Sequence, residues 1–343
     1  MKAVIFRAHG GPEVLEYTDF SAPDPRDGEV LVRLRAAALN RMDVTVRAGW
    51  PGIRLELPHI NGADGAGVVA GVGTGVAELK PGDHVVINAN LGCGRCEACK
   101  SGWDNMCRDW HLLGETVRGT YAEYVCLPER QLYRLPVDFD LKTAAAAALV
   151  FQTAWHSLIT RGGLKRDETV LIVGAGGGVN TASLSVAKHA GARVIMIGSN
   201  ARKLEMAKAL GADFVIDRSQ VEDWPKAVYA ATEKRGVDLV VDNVGTTFAQ
   251  SLRTLRKGGR IVSVGSSGGP NVTIDNRYVF YRHTSIIGST MSTMQDFRTV
   301  MGLVAARQLM PALDRSYELR DAAEAQRRLE SGMSFGKITL DIA

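Results

Sequence analysis

Residues 169–191 read TVLIVGAGGGVNTASLSVAKHAG. TVLIV is a continuous apolar run of strand length, GAGGG follows with bare backbone, and the rest has helical spacing, small side chains on one face and Gly191 as a stop. A strand that turns through glycines into a helix sets free amide N–H groups and a helix N-terminus beside a pyrophosphate. Outward from this unit the alternation repeats: ARVIMI (192–197), a helix through KLEMAKAL ending at Gly211, DFVID, a further helix, VDLVVD, another helix and GRIVSVG. That order predicts an α/β fold with a doubly wound parallel sheet, whose ligand lies at the carboxyl ends of the strands. A dinucleotide is expected. Gly174, Gly176, Gly177, Gly178 and Val179 would face its phosphates, and Val244, Gly245, Gly265 and Ser266 follow strand ends where its nicotinamide half should pass.

The end of the second strand decides which dinucleotide, because an acid there would accept hydrogen bonds from the adenosine ribose and repel a 2′-phosphate. No acid stands there. Gly198, Ser199 and Asn200 occupy the position, Arg202 and Lys203 follow, and Arg218 comes just after the third strand. Hydroxyl, amide and cationic groups favour NADPH over NADH; the competing reading of Arg202 and Lys203 is a solvated helix face.

The 343 residues suggest about two domains. With 45% hydrophobic and 23% charged residues, and no apolar run near the roughly 18 residues of a membrane span, neither a membrane protein nor a disordered chain is expected. A net charge of +4 suits an anionic small ligand and lacks the concentrated basic stripe of a nucleic-acid binder. The N-terminus, MKAVIFRAHGGPEVLEY, reads as a strand and turn without a secretory pattern, so a cytoplasmic location is expected. In a reducing compartment clustered cysteines read first as metal ligands. Cys93, Cys96, Cys99 and Cys107, in LGCGRCEACKSGWDNMC (91–107), are spaced to surround one tetrahedral zinc. Four protein ligands leave no open position, so that zinc would be structural; an iron–sulfur cluster is the alternative from thiolate count alone.

The first 130 or so residues carry strand-like runs such as EVLVRLRAAAL and GAGVVAGVG among many small residues, which suggests a partly antiparallel β domain. With DGEVLVRLRAAALNRMDV, PHINGADGAGVV, LKPGDHVV, GTYAEYV, TVLIVGAGGGV, AKALGAD and FGKITL, the chain resembles the medium-chain dehydrogenases/reductases over nearly its whole length. That superfamily holds the zinc alcohol dehydrogenases and the zeta-crystallin-like quinone oxidoreductases. The resemblance implies a GroES-like catalytic domain over 1–138 and 285–343 with a zinc lobe at 91–108, a Rossmann domain over 139–284, a cofactor in the cleft, and a homodimer or homotetramer. It also implies that Thr153, in FQTAWHSL, lies near the nicotinamide.

Two departures carry the functional expectation. Zinc alcohol dehydrogenases place a catalytic Cys ligand where Asn40 stands and a Gly-His-Glu where Gly62, Ala63 and Asp64 stand; both ligands are gone. Asn40-Arg41-Met42-Asp43 and Asn61-Gly62-Ala63-Asp64 instead resemble the quinone oxidoreductase branch, which works without catalytic metal. The expected reaction is hydride transfer from NADPH to a quinone or to the β-carbon of an α,β-unsaturated carbonyl. Asn40 would hold a nicotinamide or substrate oxygen and Asp43 would orient the loop. Tyr278, Tyr281 and His283 are candidate proton donors beside water, and His59 with Asp64 is the place to look for a metal if a simple carbonyl reacts. Asn180 replaces a glycine usual in the family's loop, so the first helix either sits further out or hydrogen-bonds locally. Competing readings are an NADP-linked alcohol dehydrogenase or aldehyde reductase and a non-catalytic dinucleotide-sensing protein.

Overall fold

Thr169–Val173 is buried on both faces, as a strand covered by helices on each side must be. In the computed structural model, which describes residues 1–343, it lies inside a six-stranded parallel sheet. The spatial order is Phe214–Asp217, Arg193–Gly198, Thr169–Val173, Val237–Asp242, Leu255–Ser263 and Ser285–Gly288. The chain therefore reverses its direction of winding between Thr169–Val173 and Val237–Asp242, the switch point where such sheets leave a crevice. Leu171, Val173, Ile195 and Ile197 pack one face against Trp224, Val228, Phe248 and Leu252. Ser285–Gly288 pairs with Leu255–Ser263, a sixth strand that SIIG is too short to announce.

The other unit is mainly antiparallel. Its largest sheet runs Leu132–Arg134, His84–Ile87, Asp64–Val72, Glu29–Ala38, Lys337–Asp341 and Leu313–Glu318, with Tyr124–Pro128 also on Glu29–Ala38. A three-stranded sheet joins Glu16–Asp19, Lys2–Phe6 and His59–Ile60. No helix is long and apolar enough to cross a membrane.

The units divide at Val150/Phe151 and Ser292/Thr293, not at 138/139 and 284/285. The helix Leu141–Trp155 begins in the first unit, because the Leu149 N–H donates to Asp64 Oδ1 at 2.8 Å. Residues 285–292 follow the sheet they extend. The helix Met294–Ala305 returns to the first unit, where the Met294 N–H donates to Asp104 Oδ1 at 2.8 Å.

The amino end of the parallel sheet is closed by ions. Asp238, 1% exposed, accepts from both Arg235 Nη atoms (2.7 and 2.8 Å), from Arg256 Nε (2.5 Å) and from the Thr169 N–H (2.9 Å). Burial opposes its ionisation, yet the two guanidinium groups and the amide outweigh burial and hold Asp238 down at about 2. Because that value lies below the unfolded one, the group's stabilisation is complete above about pH 5 and is lost as pH falls through about 2; its size is about 2 kcal/mol. Asp238→Asn should therefore lower the urea midpoint most at pH 7, with the gap from the parent narrowing below about pH 4 and closing only below about pH 2. An equal gap at pH 7 and pH 2 would show that this ionisation is not what the arginines stabilise.

Candidate functional site

In the first unit, strand register assembles a buried polar cluster. Asp64 and Thr339 both lie opposite Ala38, from the two strands flanking Glu29–Ala38. Alternation puts Lys337 on the face of Thr339, two residues earlier, so its long side chain reaches past the end of the central strand to Asn40. The Lys337 ammonium is 3% exposed and donates to Leu39 O (2.7 Å), Asn40 Oδ1 (2.7 Å) and Asp64 Oδ2 (2.8 Å). All three of its hydrogens are used. Asp64 Oδ2 also accepts from Asn40 Nδ2 (2.9 Å), and its Oδ1 takes the Leu149 N–H (2.8 Å).

Asn40 begins the helix Arg41–Ala48, and its own N–H donates to Asp43 Oδ2 at 2.8 Å. The Tyr121 hydroxyl donates to the same oxygen at 2.9 Å, while Asp43 Oδ1 is buried without a partner. Burial pushes the Asp43 carboxyl up to about 6, against the Asn40 N–H and the Tyr121 hydroxyl, which favour its ionised form. Burial, then the nearby Asp43 charge, raises Tyr121 well above the usual phenol range. Gly62 (φ +105°) allows the backbone to pass: a Cβ there would come within 2.5 Å of the Tyr121 ring and of Thr120 Oγ1.

His59 does not join Asp64. Its ring sits edge-on to Phe6 with Nε2 3.3 Å from Gly114 O, and burial lowers its pKa. Trp50 and Leu57 are partly exposed. Tyr281 and His283 are exposed, and Tyr278 lies under the Arg282 guanidinium, so none of the three stands in a buried acid–base arrangement.

Cys93, Cys96, Cys99 and Cys107 form the only group of three or more potential ligands positioned for a metal ion, their Sγ atoms all within 4.8 Å of one another. Cys96 and Cys107 Sγ are 3.7 Å apart, close to the roughly 3.8 Å edge of a tetrahedron with 2.3 Å zinc–sulfur bonds. The donor set fits zinc. Positive-φ glycines 94 and 102 wrap the lobe, and Asp104 and Arg130 tie it to neighbouring segments. The N–H groups of Arg95 and Cys96 bring the Cys93 thiol down to about 6, whereas burial pushes Cys99 up to about 12.

In the second unit the predicted phosphate loop lies at the switch point. Gly174 has φ +109°, Gly177 precedes the first turn of Gly178–His189, and Val179 is in that turn. Asn180 hydrogen-bonds locally: Nδ2 donates to Val173 O (2.6 Å) and Gly174 O (3.0 Å), while Oδ1 accepts from Asn243 Nδ2 (3.0 Å). This links the loops on either side of the switch. Asp242 organises the second loop by accepting from the N–H groups of Val244 (2.9 Å) and Gly245 (3.1 Å) and from the hydroxyls of Thr247 and Ser251. The Ser267 and Gly268 N–H groups reach Asn243 O and Val244 O, drawing Gly265 and Ser266 beside Val244.

Ser199 is exposed, Asn200 caps Ala201–Ala209 through the Lys203 N–H (3.1 Å), and Arg218 is exposed beside Gly198. The Lys203 side chain crosses the loop, since a Cβ on Gly176 would meet its Cδ at 2.6 Å. An acid is nearby after all: Asp217 pairs with Gly198, but its Oδ1 is taken by the Ser219 N–H and hydroxyl. Thr153 is buried, its carbonyl accepting from Ser157 Oγ at 2.7 Å. Sequence reasoning missed Lys337, Tyr121 and Asp242. Lys337 was visible only as a charge at the start of an apolar strand, KITLD.

Two family models match the chain: an alcohol dehydrogenase GroES-like domain over residues 26–137 and a zinc-binding dehydrogenase over residues 178–306. The chain is 29% identical to a quinone oxidoreductase of Homo sapiens, covering 99% of this chain and 97% of the relative. It is 31% identical to an acryloyl-coenzyme A reductase of Metallosphaera sedula, covering 99% of each. A crystal structure of an NAD-dependent alcohol dehydrogenase superimposes with a TM-score of 0.96 at 45% identity over the full length of both chains.

Proposed function

The chain belongs to the medium-chain dehydrogenase/reductase superfamily and is an NAD(P)H-dependent oxidoreductase; within that frame we propose that it reduces a quinone or an α,β-unsaturated carbonyl with NADPH, without a catalytic metal and with one structural zinc on Cys93, Cys96, Cys99 and Cys107. The observation that carries this reading is the commitment of Asn40 and Asp64 to the Lys337 ammonium. A saturated carbonyl needs strong polarisation, which a Lewis acid supplies, whereas a conjugated system delocalises the incoming charge and reacts with hydrogen bonds and orientation alone. Bound NADPH supplies the hydride. The amides at 174–179 and the helix that follows would hold its pyrophosphate, Val244, Gly265 and Ser266 its nicotinamide half together with Thr153, and Asn40 the substrate oxygen. Asp43 and Tyr121 fix the turn that carries Asn40, and the proton that completes the reduction is taken from water. The quinone oxidoreductase and acryloyl-coenzyme A reductase relatives support a conjugated acceptor. Ser199, Asn200, Lys203 and Arg218 support NADPH, against the one carboxylate beside them, Asp217.

The NAD-dependent alcohol dehydrogenase likeness favours a second reading, NAD-linked alcohol oxidation. One experiment separates the two. NADPH and NADH oxidation are followed with 2-cyclohexenone and with cyclohexanone; turnover of the enone alone, faster with NADPH, is expected. Ketone turnover would sink the metal-free reading, and equal or faster rates with NADH would sink the roles of Ser199, Lys203 and Arg218.

A further inference from the structure

Asn40 offers an oxygen and an NH₂ group, and an unrestrained amide can flip between them. Here it cannot. Oδ1 faces the Lys337 ammonium at 2.7 Å and Nδ2 faces the Asp64 carboxylate at 2.9 Å. A flip would set NH₂ against an ammonium and oxygen against a carboxylate, exchanging two charge-assisted hydrogen bonds for two repulsive contacts. Both charges are held in place: Lys337 is also bonded to Leu39 O, and Asp64 to the Leu149 N–H. After these bonds one Nδ2 hydrogen remains on a residue that is still 9% exposed.

We propose that Lys337, acting with Asp64, is the positioning residue of this site. The pair locks the Asn40 amide so that it meets its ligand only as an N–H donor, which selects ligands presenting an oxygen acceptor, such as the carbonyl of a conjugated substrate. The inference rests on the proposed reduction for its substrate and on the hydrogen bonds alone for the lock. Lys337 touches no ligand, because its three hydrogens are already used. As hydride arrives, negative charge develops on the carbonyl oxygen, and a donor already aimed there needs no reorganisation. The ammonium on Oδ1 polarises the amide and strengthens the remaining N–H.

The test removes both charges together, since Lys337→Met alone would strand a buried carboxylate. In D64L/K337M the amide loses both restraints. We expect kcat with 2-cyclohexenone to fall about tenfold or more, while KM for NADPH stays within about threefold of the parent. A parental kcat in a folded double variant overturns the proposal. Selective ¹⁵N-asparagine labelling, with the Asn40 signal assigned from N40D, reads the lock without turnover. The parent should show an Asn40 side-chain pair shifted away from the ordinary asparagine region and slow to exchange with water, and D64L/K337M should show it at ordinary asparagine shifts and exchanging faster. Identical signals in both overturn the lock. A parent that reduces neither enone nor quinone but shows the shifted signals would sink the substrate reading and leave the lock standing.

Discussion

Cys107→Ser should release the zinc and open the lobe that it closes. Cys107 is the only buried residue between positions 91 and 108, so this segment has almost no apolar core of its own. Its order comes instead from sulfur: the Cys107 Sγ accepts from the N–H groups of Cys93 and Asp109, each at 3.3 Å, and faces Cys96 Sγ at 3.7 Å. Zinc on four thiolates contributes on the order of 10 kcal/mol in small zinc modules, and a serine hydroxyl is a far poorer ligand. Metal analysis is expected to fall from about one zinc per chain to less than a tenth of that. Limited proteolysis should cut within 91–108, and the melting temperature should drop by about 10 °C. Cys126→Ser, at the half-buried cysteine outside the lobe, is the control and should keep its zinc. A Cys107→Ser protein with full zinc and the parental cleavage pattern would mean that the lobe is held by something other than metal.

Asn40→Leu should remove most of the catalytic rate and little else. The side chain is nearly isosteric, and Lys337 keeps two of its three acceptors, Leu39 O and Asp64, so the buried pair survives. The donor is gone. Loss of one preorganised donor to a developing oxyanion costs about 10²- to 10³-fold in kcat, and a loss in that range is expected with 2-cyclohexenone, at a little-changed KM for NADPH. Steady-state rates and a thermal melt on the same preparation check this. A kcat within threefold of the parent would place the oxygen of the substrate elsewhere.

The two predictions differ in how far they could be seen beforehand. The four-cysteine lobe was legible because its cysteines lie within fifteen consecutive positions, and short spacing alone brings thiolates together. The glycine loop was legible for a similar reason, since strand, turn and helix are consecutive and each announces itself by period or by glycine. Asn180 was ambiguous in the sequence, and only the partner across the switch point, Asn243, shows why an amide suits that position. The unit boundaries were displaced because Leu141–Trp155 is one unbroken helix that starts in one unit and ends in the other, and periodicity does not mark such a crossing. Ser285–Gly288 has only four residues, too little pattern to stand out as a strand.

Sequence by itself determined the family, the parallel sheet with its glycine loop, the grouping of four cysteines, and an asparagine and an alanine at positions 40 and 63. Each of those is a local pattern, or a residue type at one position. Only the tertiary structure decided what replaces the missing ligands. Lys337 is 297 residues from Asn40 and 273 from Asp64, and it meets them because two strands flank Glu29–Ala38 in one register. Shifting either strand by one residue would turn its side chain to the opposite face. A buried ammonium paired with a carboxylate and an amide is therefore a property of strand pairing, and strand pairing over such separations leaves no mark in the spacing of residues along the chain.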